Sequence, residues 1–187
     1  MAGPTPASGL NLGDSGQSVA ASGGDWCRPE GLLGPATQLG YEGRTPTREE
    51  GVKPGTRALG VAESYRGSRS TLAGAVVRGS RVVDGLAFES CTVGGTDATA
   101  GIYDLYDRLD REDVRYLLVA GIAPAWYNIV DLCELHERTD RPVLAVSFEE
   151  SAGLEPAINE AFDGEEATRR LDTYRSLPDR RRVSVPG

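Results

Sequence analysis

The sequence predicts an α/β fold: one mixed sheet opened by a three-stranded antiparallel meander and continued by βαβ units. Two observations predict it. Between residues 56 and 93 short apolar runs are separated by turn residues, with no helical period. Beyond residue 94, segments with apolar residues three and four apart alternate with short apolar strands, the texture of a sheet covered by helices.

Taken in order, residues 1–52 come first and show neither period. They are rich in Gly, Pro, Ser, Thr and Ala, cannot bury enough surface to offset their ordering entropy, and read as a disordered tail. A sharper expectation is that they are upstream sequence translated by mis-annotation, with the true start near Val52 and Lys53. The domain then occupies residues 53–187. "TRALGVAES" reads as the first strand. "STLAGAVVRGSRVVDGLAFESCTV" reads as two strands around Gly79-Ser80, a Gly-first pair suited to a type II′ turn. "GGTDATAGIYDLYDRLD" is a helix with Thr96 or Asp97 as its N-cap and Ile102, Leu105, Tyr106 and Leu109 along one side. "VRYLLVAG" is a strand. "YNIVDLCELHERT" reads as a helix capped by Asn128, with Ile129, Leu132, Cys133 and the single histidine, His136, on one face. "RPVLAVSF" is a strand, and "GLEPAINEAF" and "EATRRLDTYRSL" are helical. Strand, strand, strand, helix, strand, helix, strand, helices is the order of the ribonuclease H-like arrangement, whose core the actin-like sugar kinases share.

Composition narrows the function. The 187 residues carry 28 Asp and Glu against 20 Lys and Arg, a net charge of -8. Lys53 is the only lysine. An acidic, lysine-poor surface suits a protein in concentrated salt, and a GC-rich genome would equally favour Arg over Lys. In dilute salt such a charge opposes nucleic-acid binding, but at about 1 M salt the Debye length is only ~3 Å and the objection fades. No apolar run is long enough to span a bilayer, so no membrane partner is expected. Cys27, Cys91 and Cys133 have no C-x-x-C pair and read as free thiols in a reducing cytoplasm. One histidine leaves no serine-type triad or zinc site. "VGGTDAT" lacks the lysine of a nucleotide P-loop.

In a ribonuclease H-like sheet, the first strand and the strand after the first helix are neighbours, and acids at their tips can share divalent metals. Magnesium, or manganese in its place, suits such a site because it keeps waters and needs one or two carboxylates. Glu63 stands at the end of the first strand, Asp97 at the first helix start, and Glu89 late on the third strand. The partner strand ends in Ala120, which has no lone pair to give. The bland readings are a plain N-cap for Asp97 and a solvated strand residue for Glu89. Trp126 and Tyr127 could stack on a base, or pack one inward and one outward over the sheet; Asn128 could read a base edge or merely cap. The run Arg180 to Arg182 is a phosphate contact or a solvated cluster.

"KPGTRALGVAES", "VGGTDAT", "VAGIAPAWYNIVD" and "RPVLAVSF", in this order, resemble the archaeal endonuclease dU family, relatives of endonuclease V. The resemblance spans residues 52–187. It implies a metal-dependent DNA endonuclease acting at deaminated bases, deoxyuridine in particular, in DNA repair, with a magnesium or manganese cofactor. Gly95-Thr96-Asp97 matches the family's Gly-Thr-Asp element, and Tyr127, Asn128, Val130 and Asp131 match its aromatic-Asn-x-Val-Asp element. The family's paired Asp at the first strand end is Ala62 and Glu63 here, and its Asp-Gly-Ile is Ala120-Gly121-Ile122. The resemblance therefore implies a catalytic and metal-binding pair of Glu63 and Asp97, with Trp126, Tyr127 and Asn128 on the substrate. The alternative is a non-catalytic nucleic-acid-binding or interaction module that kept the fold. The family continues with a further strand and helix, so a truncated C-terminus is expected.

Overall fold

The computed structural model describes residues 17–22, 53–147 and 153–183. Its centre is a mixed sheet of seven strands in the order β4-β3-β2-β5-β6-β1-β7. β2 (Arg57–Arg66), β3 (Arg69–Arg78) and β4 (Val83–Thr92) form the antiparallel meander. After α1 (Ala98–Leu109), β5 (Val114–Ala120) returns parallel to β2, and β6 (Val143–Ser147) lies parallel beyond it. The expected strand order is thus observed.

Two features depart from expectation. β1 (Gln17–Ser22), inside the stretch read as a disordered tail, pairs antiparallel with β6, and β7 (Arg181–Val183) pairs with β1. The open edge of β6 offers main-chain hydrogen bonds that need no hydrophobic period in the added strand, which is why composition missed it. The remainder of residues 1–52 lies outside the described residues. The β3–β4 hairpin, in turn, is not a two-residue type II′ turn. The Arg81 N–H donates to the Arg78 carbonyl at 2.7 Å, and Arg81 rather than Gly79 takes the positive φ of 65°. That is a longer loop with a left-handed residue before the second strand.

One face of the sheet is dry. Leu59, Val61, Leu72, Val76, Ala87, Cys91, Leu117, Val119, Val143 and Ala145 are all buried, beneath Ile102 and Leu105 of α1 and Leu132 and Leu135 of α3 (Leu132–Thr139). A second cluster joins Ile129, Ile158 of α4 (Glu155–Ala161) and Leu171 of α5 (Gly164–Ser176). α3 begins later than its periodicity suggests. Its cap is Asp131, whose carboxylate accepts the N–H groups of Cys133 at 3.0 Å and Glu134 at 2.9 Å. Asn128 is not the cap. Cys91 is a free buried thiol, as expected, whereas Cys133 is disulfide-bonded. Spacing along the chain cannot reveal which thiols the fold brings together. No helix among the described residues is long and apolar enough to cross a membrane.

Candidate functional site

The tips of β2, β4 and β5 meet the loops leading into α1 and α3, and Glu63, Asp97, Ala120, Trp126, Tyr127 and Asn128 lie about this corner, whereas Arg181 and Arg182 stand on β7 at the far edge of the sheet. Pairing fixes which face each presents. Val61 pairs with Val119, and both are buried on the helix side. One residue further, Ala62 and Ala120 stand side by side on the opposite, exposed face. Glu63 therefore points to the helix side, away from Ala120, where Ser70 donates its hydroxyl hydrogen bond to the carboxylate at 2.5 Å. Ser70 is fully buried and pairs across the sheet with Cys91.

Asp97 stands at the α1 N-terminus but makes no side-chain cap bond. Its carboxylate folds back onto Thr92, accepting the N–H at 3.0 Å and the hydroxyl at 2.8 Å, and takes a third bond from the Asn128 amide at 2.7 Å. Burial pushes the Asp97 carboxyl up, but the Thr92 and Asn128 donors together outweigh it and hold the group below the ordinary carboxylate value. Gly95 is needed for this fold-back: a Cβ there would sit 2.7 Å from the Asp97 Oδ1 and 2.8 Å from the Thr92 Cβ. Glu63 and Asp97 both lie near Cys91, whose thiol is pushed up to about 11, chiefly by burial and then by these two negative charges.

Asn128 is fully buried. Its amide nitrogen donates to the Thr92 carbonyl at 3.0 Å and to Asp97, while its oxygen accepts the first N–H of α1, from Ala98, at 2.9 Å. It ties the strand-tip loop to the helix start and presents no free edge to a base. Glu89, the remaining acid, is paired with Arg108.

Between Gly121 and Asn128 the chain makes one turn of the wrong hand. In α2 (Pro124–Tyr127), Ala125 has φ 48° and ψ 52°, Trp126 has φ 61° and ψ 72°, and Tyr127 has φ 54°. Left-handed helical backbone costs an L-residue about 1–2 kcal/mol, and three in succession persist only where neighbours over-determine them. Those neighbours are present. The Gly94 N–H donates to the Ala125 carbonyl at 2.7 Å. Arg170 of α5, only 4% exposed, donates from Nε to the Tyr127 carbonyl at 3.2 Å, from Nη2 to the carbonyls of Gly94 and Gly95, and from Nη1 to the Glu166 carbonyl of its own helix at 2.9 Å. Its guanidinium also stacks 3.7 Å above the Phe162 ring. The turn projects Trp126 outward, 43% exposed, and tucks Tyr127 against Phe162, the one-out, one-in division expected of the pair. Arg170 was missed in the sequence. Its signal was an arginine on the same helical stripe as the buried Ala167 and Leu171. Beside it, Thr96, Thr99, Asp131, Arg169 and Thr173 line a cleft of about 240 Å³.

A divalent ion at this corner needs carboxylate oxygens with lone pairs to spare. Glu63 accepts one hydrogen bond, from Ser70, and alone keeps an oxygen to spare; Asp97 holds three donors, and Ala62 and Ala120 contribute none. No group of three or more His, Cys, Asp or Glu side chains converges among the described residues. The donor set does not fit a magnesium or manganese site.

Comparison with known proteins bears on the same residues. A family model described as endonuclease dU matches residues 54–187. An UPF0215 protein of Methanopyrus kandleri is 37% identical over 99 residues, 51% of this chain and 50% of its own. Another, from Pyrobaculum calidifontis, is 37% identical over 120 residues, 60% of this chain and 66% of its own. The chain thus spans about half to two thirds of the length of these relatives. A solved structure of an Archaeoglobus fulgidus protein of unknown function superposes with a TM-score of 0.57 at 24% identity, covering 63% of this chain and 67% of that one. That likeness speaks for the fold alone.

Proposed function

The chain belongs to the endonuclease dU family, and from that premise we propose that it is a nuclease-like DNA-binding protein which engages DNA carrying deaminated bases, deoxyuridine among them, without cutting it by a metal-dependent step of its own. One observation carries the reading. The two neighbouring strand-tip positions that face open solvent, where the family resemblance calls for carboxylates, are Ala62 and Ala120. The corner keeps the parts that bind. Trp126 is held out on a braced left-handed turn, and aromatic stacking on a base is worth about 1–3 kcal/mol. Arg169 is exposed beside the threonine hydroxyls of the cleft, a suitable contact for a backbone phosphate. Tyr127 and Asn128 act behind Trp126, by fixing the turn, rather than on the base.

A second reading is favoured by the shared proximity of Glu63 and Asp97 to Cys91. There the two carboxylates would hold magnesium or manganese in a residual endonuclease. It requires both to exchange their present donors for the ion.

The test is fluorescence anisotropy on a uracil-containing duplex and its thymine counterpart, at about 1 M salt so that charge repulsion is screened. The wild type is expected to favour the uracil duplex, and Trp126→Ala to weaken binding about 10-fold to 100-fold. Equal affinity for the two duplexes, or no loss in Trp126→Ala, would overturn the reading.

A further inference from the structure

The second face of the sheet is built quite differently from the dry one. Pairing places Ala58, Gly60 and Ala62 of β2 beside Val77, Ala75 and Ala73 of β3, and these beside Val83, Leu86 and Phe88 of β4. On the other flank the same face continues through Tyr116, Leu118 and Ala120 of β5 to Leu144 and Val146 of β6. None of these residues is buried. Leu86 is 62% exposed, Val83 59%, Phe88 55% and Tyr116 44%. Every helix packed on the sheet lies on the opposite side, and among the described residues none covers this one. An apolar face of this extent on a monomer marks a contact surface.

We propose that this face is the interface of a homodimer, two copies of the chain packing sheet against sheet about a two-fold axis. Area supports a partner of this size. Five strands about 4.8 Å apart, over roughly seven residues of about 3.4 Å each, give a flat area of about 600 Å² before side chains interdigitate. A standard interface buries about 800 Å² per partner. The chemistry suits burial, since no charged side chain stands among the residues named, and the nearest charges on this face, Arg66 and Arg69, are exposed at the β2–β3 end, where they would form a solvated rim. The shape is self-complementary. The centre is Gly and Ala, letting two sheets approach, while the bulk lies on the flanks. An axis between β2 and β3 sets Leu86 and Phe88 of one copy over the Tyr116 and Leu118 flank of its partner. Ala62 and Ala120 lie on this face too, so the residues that deprive the corner of metal ligands also make its surface continuous and neutral. The inference does not depend on what the corner binds. With -8 on each copy, association is opposed at long range in dilute salt and released as salt screens it.

Sedimentation velocity of the full chain at about 0.15 M and about 1 M salt, where the Debye lengths are ~8 Å and ~3 Å, tests this. The wild type should sediment as a dimer of its 19.9 kDa chain, more completely at the higher salt. Phe88→Glu, at an exposed position that leaves the core untouched, should weaken the dimer about 100-fold or more, because a two-fold axis counts each change twice. Tyr65→Glu, equally exposed but on the helix side, should not. A wild-type monomer at both salts, or a dimer indifferent to Phe88→Glu, would overturn the proposal. So would a monomer in which a Phe88→Cys thiol resists alkylation, which would assign the face to residues 23–52 of the same chain.

Discussion

Replacing Arg170 by methionine is the sharpest stress on the corner. The side chain is 4% exposed, and its donors serve the carbonyls of Tyr127, Gly94 and Gly95 across two loops. Methionine fills a similar volume but donates nothing, so the three loop carbonyls lose charge-assisted bonds, and so does the Glu166 carbonyl within α5. Each buried polar group left unpaired costs about 1–3 kcal/mol. The neighbouring cleft admits water to part of the site, which brings the expected total to about 3–5 kcal/mol, against a domain stability of about 5–15 kcal/mol. Lysine keeps the charge but cannot fork, and should recover about half. Urea unfolding reads the loss as a lower midpoint at unchanged slope. In a Trp26→Phe background, the emission of Trp126 should shift to the red as the left-handed turn relaxes. If Arg170→Met lies within about 1 kcal/mol of the wild type with emission unmoved, Arg170 does not brace the turn.

Asp97→Asn should lower stability near neutral pH, and the deficit should vanish in acid. The folded carboxyl lies below its ordinary value of about 3.9, so its contribution is complete above that pH and is lost as pH falls through the folded value. Urea midpoints across this range check it; a deficit that grows toward low pH would contradict the assignment. The double variant Ala62→Asp with Ala120→Asp restores two adjacent carboxylates on the face assigned to the dimer, and is expected to separate the copies as it creates the site. Calorimetry should detect manganese binding absent in the wild type, and no heat in the variant would mean the tips do not converge as the strand register indicates.

The scaffold was legible because it rests on period. The buried alternation Leu59-Val61 and Leu117-Val119, and the spacing Ile102-Leu105, specify strands and helix without knowledge of partners. β1 was not legible, since a strand added between β6 and β7 is held by main-chain bonds that any side chains permit. The site was half legible. Its location at the tips of β2 and β5 follows from topology, and the missing acid at Ala120 is plain in the sequence. The opposing faces of Glu63 and Ala120 follow only from exact pairing. Asn128 and Asp97 both sit where helix caps are expected, yet each spends its side chain on the Thr92 loop, a long-range contact that local preference cannot foresee. The left-handed turn defies local preference altogether, because nothing in "PAWY" asks for positive φ. It exists by virtue of Gly94 and Arg170, which stand elsewhere in the chain.

The most direct measurement is single-turnover nicking of a uracil-containing duplex, at about 1 M salt with excess magnesium or manganese, run beside binding to the same duplex. The account predicts a bound, intact duplex with either metal, for the wild type and for Glu63→Ala alike. Metal-dependent nicking by the wild type that Glu63→Ala abolishes would contradict it and restore the carboxylates to catalysis.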